Sequence, residues 1–565
     1  MRRQIWTLAV VWAARVRALV ATPGAATLLF FSCLYILTYQ GRTNSYDGQS
    51  MFATTRALVE HGTLAISKVS ANAFGTLGRD GLYYSKYGIG QSLAEMPLYL
   101  VGKLLGIGVR SKAAQVAESV AMLTNPLIMA ASCAVFYGII RRLGYQRGTA
   151  IRATIVLGIA TSLWPYSKSD FSEPLLTLCL AVAVFCALQA SCLLASKRAM
   201  ASEGRCDLQR LDLCTGGALG IGVLTKDAAA IYVPVFLLYS LVTLPDLSWR
   251  DPRSLALVPR RLWLRRLIAL LAPIIAAGIL ALLINILRFG SPLATGYAPG
   301  DRPFSGPVLD GLWGLLMSPR AGILFYDPLM FAGLLALPLL LRRQPLEALF
   351  PLGLFGGSLL FYAAYHSWSG GSAWGPRYLV PALPYLLFPL LALGCFGPAA
   401  ASSAPTFLPE QDRRLRLLAR GVTIVVVGIS AGVQFLGVSV NYLMEDAYRL
   451  LSLHRFGNLI SSLPASPLAL SLWTLRLSLQ YAFLHTFAPG YASTQYPFGP
   501  PSPIAPSMPE SAGVYPLQFF WFTLTPAPLW AFAVGAVVLG GGMLLSARVL
   551  LRFARAESDG GDHAE

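Results

Sequence analysis

Apolar segments of about 13 to 26 residues alternate with short polar segments along most of the chain. A helix needs about 20 apolar residues to cross roughly 30 Å of hydrocarbon, so repeated segments of this kind are typical of a bundle of transmembrane helices. The pattern predicts an all-α polytopic membrane protein with about 12 transmembrane helices, within a range of 11–13. The predicted spans are 22–39, 114–139, 150–165, 174–194, 213–225, 228–244, 267–287, 324–341, 348–365, 379–396, 421–438 and 527–547.

Residues 88–107 are apolar enough to be a further span. Counting them as a span would place Arg141, Arg142, Arg147 and Arg152 outside the cell. We therefore predict an interfacial helix on the outer leaflet, in which Glu95 and Lys103 reach water.

Composition agrees with a membrane protein, because 55% of the residues are hydrophobic and only 12% are charged, against about 25% charged in soluble domains. The net charge of +18 would also suit nucleic-acid binding. With a cytoplasmic N-terminus, however, most Lys and Arg residues fall in cytoplasmic segments, as the positive-inside rule requires. We expect contact with membrane lipids, no nucleic acid, and a multi-pass protein of the plasma (inner) membrane with both termini cytoplasmic.

The predicted organisation follows from these spans. A cytoplasmic amphipathic N-terminus precedes a transmembrane core that includes a long outer loop; a Pro-rich and aromatic outer loop, a last helix and a cytoplasmic tail follow. The corresponding ranges are 1–21, 22–438 with outer loop 40–113, 439–526, 527–547 and 548–565.

Several sequence features are absent. There is no GxxxxGK[ST] loop, no Rossmann glycine motif in its strand–helix setting and no DxD pair, so no direct nucleotide site is expected. Gly217–Gly222 is better explained by small-residue helix packing. None of the eight cysteines lies in an outer loop or has zinc-like spacing. No cofactor is predicted firmly, and binding of a divalent cation stays open.

Three acids lie near the predicted outer boundary. Asp47 follows the first span, where partial desolvation would raise its pKa and make it a better base. Asp170 and Glu173 follow the third span and are candidates for orienting roles. Each has a structural alternative, because Asp47 could cap a helix and Glu173, before Pro174, could complement a helix dipole.

Cations and aromatic residues occupy the same side. Lys86, Lys226, Arg320 and Arg377 are candidates for binding a phosphate, since an unpaired charge at the membrane face usually marks a ligand site. Pairing of Lys226 with Asp227 is the structural alternative. Candidate substrate-lining residues, which could equally be anchors in an interfacial aromatic belt or structural residues, are Arg56, Tyr84, Tyr87, His366, Trp368, Trp374 and Tyr378.

The order of five short elements resembles the GT-C superfamily of membrane glycosyltransferases, in the branch of protein O-mannosyltransferases and aminoarabinose transferases. The elements are Asp47 with Arg56 and Gly62, Tyr84 to Tyr87, Ser172–Glu173–Pro174, Leu224–Thr225–Lys226, and Arg377–Tyr378–Leu379–Val380–Pro381 with Pro384. Two features depart from the family pattern: many relatives have a second acid where Gly48 stands, and an Asp-Pro where Glu173–Pro174 stands.

The resemblance implies an inverting transfer of a mannose- or arabinose-type sugar from a polyprenyl phosphate to a glycan, glycolipid or protein hydroxyl outside the cell. Asp47 would be the base, while Lys86, Lys226 and Arg377 would neutralise the leaving phosphate. A flippase or exporter of lipid-linked sugars and a non-catalytic assembly factor are the alternatives. Convergence of Asp47, Glu173, Lys226 and Arg377 on one outward cavity would favour the transferase.

Overall fold

The computed structural model describes residues 22–67, 75–108, 112–196, 202–244, 260–297, 304–371, 373–397, 413–440, 468–469, 471–472, 475 and 529–558. The predicted N-terminus 1–21, nearly all of the outer loop 439–526 and the end of the tail lie outside the described residues. The described chain is mostly helical, as the sequence predicts.

The helices and strands follow one another along the chain with bounds α1 Pro23–Thr38, α2 Tyr46–His61, β1 Ala65–Ile66, β2 Thr76–Leu77, β3 Tyr83–Tyr84, α3 Ile89–Gly106, α4 Ala113–Ala121, α5 Thr124–Arg142, α6 Arg147–Ile159, α7 Leu163–Ser167, α8 Glu173–Ala195, α9 Ser202–Thr225, α10 Val233–Val242, α11 Arg260–Phe289, α12 Val308–Met317, α13 Ile323–Tyr326, α14 Pro328–Arg343, α15 Gly357–Ala363, α16 Leu387–Ala392, α17 Arg413–Ser439 and α18 Leu529–Ser558. Short 3₁₀ turns at Asp227–Tyr232, Arg377–Leu379 and Leu383–Leu386 and a π-helical turn at Pro351–Gly356 lead into or lie between these helices.

A helical segment lies at each of the twelve predicted spans. Among the described residues, five helical segments are long and apolar enough to cross a membrane, and six further apolar helices are shorter. The count of twelve therefore stays a prediction.

Residues 89–106 form one helix, close to the predicted interfacial helix, with an exposed apolar face that includes Leu104 and Leu105. Lys103 is exposed and bonds to Glu60 at 3.1 Å. The prediction for Glu95 is wrong, because this side chain is only 1% exposed. It accepts hydrogen bonds from Gln91 and Thr55, at 3.0 Å each, and burial raises its pKa to about 7.

Helices α9 and α11 pack closely along their length. A Cβ at Gly216 would lie 2.1 Å from the carbonyl oxygen of Leu270, and one at Gly220 would lie 2.9 Å from that of Pro273. These contacts support the small-residue packing expected here. A buried ion pair of Arg266 with Asp212, at 2.9 and 3.1 Å, also joins the two helices.

The connection between α2 and α3 contains a feature that the sequence pattern did not predict. Three two-residue strands pair antiparallel in the order β1-β3-β2. Strand β3 ends at Tyr84, directly before Lys86 and Tyr87, so this small sheet fixes the segment that carries two of the predicted site residues.

Candidate active site

Four separate segments bring charged side chains together at one end of the helix bundle. Asp47 is the second residue of α2, and Glu173 is the first residue of α8. Lys226 follows the last residue of α9, and Arg377 begins a 3₁₀ turn. All four belong to one ion-pair network, so the structure brings together the residues named for convergence from the sequence.

Arg377 lies at the centre of this network. Its Nη2 donates to Asp47 Oδ2 at 2.6 Å, and its Nε donates to Glu173 Oε1 at 2.9 Å. Lys226 Nζ donates to the same Glu173 oxygen at 2.9 Å. Glu173 is fully buried, so its charge is stabilised by two cations. The expected alternative, pairing of Lys226 with Asp227, is not what the structure has.

The local sequence explains why Asp47 points towards Arg377. The hydroxyl of Ser45 accepts from the amide of Gly48 at 2.9 Å and caps α2, so Ser45 and not Asp47 is the capping residue. This leaves the carboxylate of Asp47 free to accept from the hydroxyl of Tyr87, at 2.5 Å, as well as from Arg377.

The pKa of Asp47 differs from the expectation. Burial raises it, but the charge of Arg377 and the hydrogen bonds from Tyr87 and Arg377 outweigh burial, and the pKa lies below its ordinary value. The carboxylate is therefore ionised at neutral pH. It is a weaker base in this arrangement than a desolvated, unpaired carboxylate would be.

Asp170 holds the chain just before Asp47. Its Oδ2 accepts from the amides of Asn44 and Ser45 at 2.7 and 2.9 Å. A Cβ at position 48 would lie 2.2 Å from the carboxyl group of Asp170. Gly48 therefore leaves room for Asp170, which explains why a second acid is absent at this position.

A cavity of about 580 Å³ opens beside the network. Its charged lining residues are Asp47, Lys86, Lys226, Asp227 and Arg377. Aromatic side chains form much of the remaining wall, among them Tyr87, Tyr297, Phe304, Phe361, Tyr362, Tyr365, His366 and Tyr378.

Two lysines contact the aromatic wall. Lys226 Nζ lies 4.5 Å from the ring centre of Tyr378, which stacks on Tyr362 at 4.5 Å with an interplanar angle of 13°. Lys86 Nζ lies 4.7 Å from the ring centre of Tyr297. Both ammonium groups thus remain at the cavity surface, in contact with rings that favour cations.

Four sequence candidates do not line the cavity. Arg56 faces Glu60 at 4.0 Å on the exposed side of α2. The hydroxyl of Tyr84 donates to Asp80 at 2.6 Å. Arg320 lies 5.8 Å from the ring centre of Trp368, and the two interact away from the cavity.

Trp374 is also outside the cavity and has a structural role. It is fully buried, its indole donates to Gln434 at 3.3 Å, and its ring packs edge-on against Tyr326. It therefore joins the loop that carries Arg377 to α17.

The sequence interpretation missed Arg288, at the end of α11. This side chain is 3% exposed, and its Nη1 donates to the carbonyl oxygens of Ser85 and Tyr87 at 3.2 and 2.9 Å. Its Nε and Nη2 are buried and have no partner among the described residues. A single Arg that ends a long apolar run on the side where positive charge is disfavoured was the available signal.

Among the described residues, no group of three or more His, Cys, Asp or Glu side chains is placed to hold a metal ion. All eight cysteines are free thiols.

A family model described as "Dolichyl-phosphate-mannose-protein mannosyltransferase" matches residues 87–284. The recognition of a GT-C glycosyltransferase is confirmed. The matched part of this GT-C chain includes Glu173, Lys226 and Asp227, whereas Asp47 and Arg377 lie outside it. The match indicates an enzyme that uses a lipid-linked sugar donor. No curated protein matches the chain.

Solved structures show a distant likeness. ArnT from Cupriavidus metallidurans, bound to undecaprenyl phosphate, has a TM-score of 0.42 and 14% identity over 82% of this chain and 88% of its own. An oligosaccharyltransferase from Archaeoglobus fulgidus, tethered with an acceptor peptide, has a TM-score of 0.41 and 12% identity over 78% of this chain. This chain spans 58% of that oligosaccharyltransferase. At this level of similarity, the neighbours do not assign a substrate.

Proposed function

We propose that the protein is an inverting glycosyltransferase that moves a mannose- or arabinose-type sugar from a polyprenyl phosphate to an acceptor hydroxyl on the extracytoplasmic face. The observation that carries this proposal is the cavity in which the Asp47 carboxylate faces the same space as Lys86, Lys226 and Arg377. A base and several cations around one space suit a hydroxyl nucleophile and a phosphate leaving group.

In this reaction, Asp47 accepts the proton of the acceptor hydroxyl as its oxygen bonds to the anomeric carbon. The bond between that carbon and the phosphate oxygen breaks, and the polyprenyl phosphate leaves with the electron pair. Because Asp47 is ion-paired with Arg377, the acceptor hydroxyl has to replace one of the donors to this carboxylate before proton transfer.

The charges divide the cations into two groups. Lys226 and Arg377 already share Glu173 and Asp47. Lys86 has no ion pair with a described residue, and Arg288 carries two donors without a described partner. Lys86 and Arg288 therefore have the greater capacity to bind the phosphate, and Lys226 and Arg377 support the reacting centre.

The membrane supports the same assignment. Apolar residues are exposed along α11, including Ile279, Leu283 and Leu287, and this helix ends at Arg288. An isoprenoid tail in the bilayer can lie along this surface while its phosphate reaches Lys86 and Arg288.

The test is transfer of radiolabelled sugar from polyprenyl-phosphate donors to candidate acceptors by the purified protein in detergent. We expect transfer in the wild type and at least a tenfold loss of donor affinity in Lys86→Met. Lys103→Met is the matched control, because Lys103 is exposed and pairs with Glu60 outside the cavity. Absence of transfer from every such donor would refute the proposal, and movement of the intact lipid-linked sugar across vesicles would instead indicate a flippase.

A further inference from the structure

Asp227 occupies an unusual position beside the cavity. It begins the 3₁₀ turn after α9 and lines both the main cavity and a small adjoining cleft of about 20 Å³. Lys86 and Tyr87 also line both spaces, and Arg288 lines the cleft. Asp227 therefore lies where the proposed phosphate site meets the space left for the sugar.

The side chain of Asp227 differs from those of Asp47 and Glu173. Among the residues that the structure describes, its carboxylate has no hydrogen bond and no ion pair within 4.0 Å, although Arg288 attracts it electrostatically. A carboxylate accepts up to about four hydrogen bonds, so one at a cavity wall can accept them from a ligand. A sugar carries several hydroxyl donors of the kind required.

The balance of charge restricts what the ligand carries. Within the ion-pair network, Lys226 and Arg377 are matched by Asp47 and Glu173. In the adjoining group, Lys86 and Arg288 exceed Asp227 by one positive charge. A polyprenyl phosphodiester carries one negative charge, so it neutralises the group when its sugar is uncharged.

An amino sugar would change this balance. Its ammonium group would leave one uncompensated positive charge inside a partly buried cavity that already contains four cations, and burial of an unpaired charge is costly. Hydroxyl groups satisfy Asp227 without adding charge.

On this basis, and resting on the proposed function, we propose that Asp227 accepts hydrogen bonds from hydroxyl groups of an uncharged donor sugar. Asp227 is thus a specificity-determining residue that selects neutral sugars, such as hexoses and pentoses, over amino sugars.

The experiment compares wild type, Asp227→Ala and Asp227→Asn with three lipids of equal chain length: sugar-free polyprenyl phosphate, polyprenyl-phosphate mannose and a polyprenyl-phosphate amino sugar. Both binding and transfer are measured. The control is Asp310→Asn, because Asp310 is exposed in the first turn of α12 and does not line the cavity.

We expect the wild type to bind the neutral-sugar lipid at least tenfold more tightly than the amino-sugar lipid. Asp227→Ala should lose about tenfold to a hundredfold in affinity and in kcat/KM for the neutral donor, the range for hydrogen bonds to a charged acceptor. Its affinity for sugar-free polyprenyl phosphate should be unchanged or higher, because a negative charge beside the phosphate has been removed. Asp227→Asn should fall between the two, and Asp310→Asn should match the wild type.

Deoxy analogues of the neutral sugar make the test specific. Removal of the hydroxyl that Asp227 binds should weaken wild-type binding and have little further effect in Asp227→Ala, since the two changes remove the same contact. Equal binding of the neutral-sugar lipid by wild type and Asp227→Ala would overturn the inference, as would a parallel loss for the sugar-free lipid.

Failure of the proposed function is recognised separately, as absence of transfer in the wild type. The binding comparison still decides the role of Asp227 in that case.

Discussion

Replacement of Asp47 by Asn removes the proposed base and changes the shape of the side chain very little. A general base typically contributes about 10²–10⁴-fold to the rate, or about 3–5 kcal/mol of the activation barrier at ~1.36 kcal/mol per tenfold. We therefore expect sugar transfer by Asp47→Asn to fall by at least a hundredfold.

The structure also bounds the effect of this substitution on folding. The amide oxygen of Asn can still accept from either Tyr87 or Arg377, so one of the two hydrogen bonds is lost. A hydrogen bond to a charged group contributes about 1.5–3 kcal/mol, and the partial exposure of Asp47 places the loss towards the lower end. The variant should therefore fold and bind sugar-free polyprenyl phosphate.

The assay measures initial transfer rates, donor binding and thermal unfolding of the same purified preparations. Asp80→Asn is a matched control, because Asp80 also accepts from a tyrosine hydroxyl, that of Tyr84 at 2.6 Å, but does not line the cavity. Near-normal turnover in Asp47→Asn would exclude Asp47 as the base. An equal loss in Asp80→Asn would show that the fold of this region, and not the base, was being measured.

Two further predictions concern the surroundings of this carboxylate. Arg377→Met removes the cation that lowers the pKa of Asp47, so burial is no longer opposed and the acid limb of the pH profile of kcat/KM should move to higher pH; a profile that only drops in height would contradict this assignment. Gly48→Ala places a methyl group 2.2 Å from the carboxyl group of Asp170, and should lower stability by about 1–3 kcal/mol together with activity. Gly217→Ala, where nothing lies within 4 Å of the added methyl, should leave the thermal unfolding temperature unchanged or raise it.

Periodicity and charge placement predicted the helical membrane architecture, because a bilayer imposes a length and an apolar surface on every segment that crosses it. The same constraint made Asp47, Glu173, Lys226 and Arg377 conspicuous, since charges at the ends of apolar runs are few. Their pairing could not be predicted, because it depends on which helix ends meet in space.

Local sequence also misled in identifiable ways. Glu95 looked like a polar contact with water, but it faces Gln91 and Thr55 inside the protein. Asp47 was expected to have a raised pKa from its position alone, and Arg377, which reverses the shift, lies far away in sequence. Arg288 was treated as part of a loop, because only the three-dimensional structure shows that two of its donors lack a described partner.

The ion pair between Asp47 and Arg377 joins residues that are 330 positions apart. Since helices enter the membrane in order of synthesis, Asp47 and Glu173 are inserted long before their shared guanidinium partner exists. A nascent chain that ends before position 377 has the base but lacks the cation that orders it. Assembly of a competent reaction centre is therefore a late event in biogenesis, and truncated products are inert towards the lipid-linked donor.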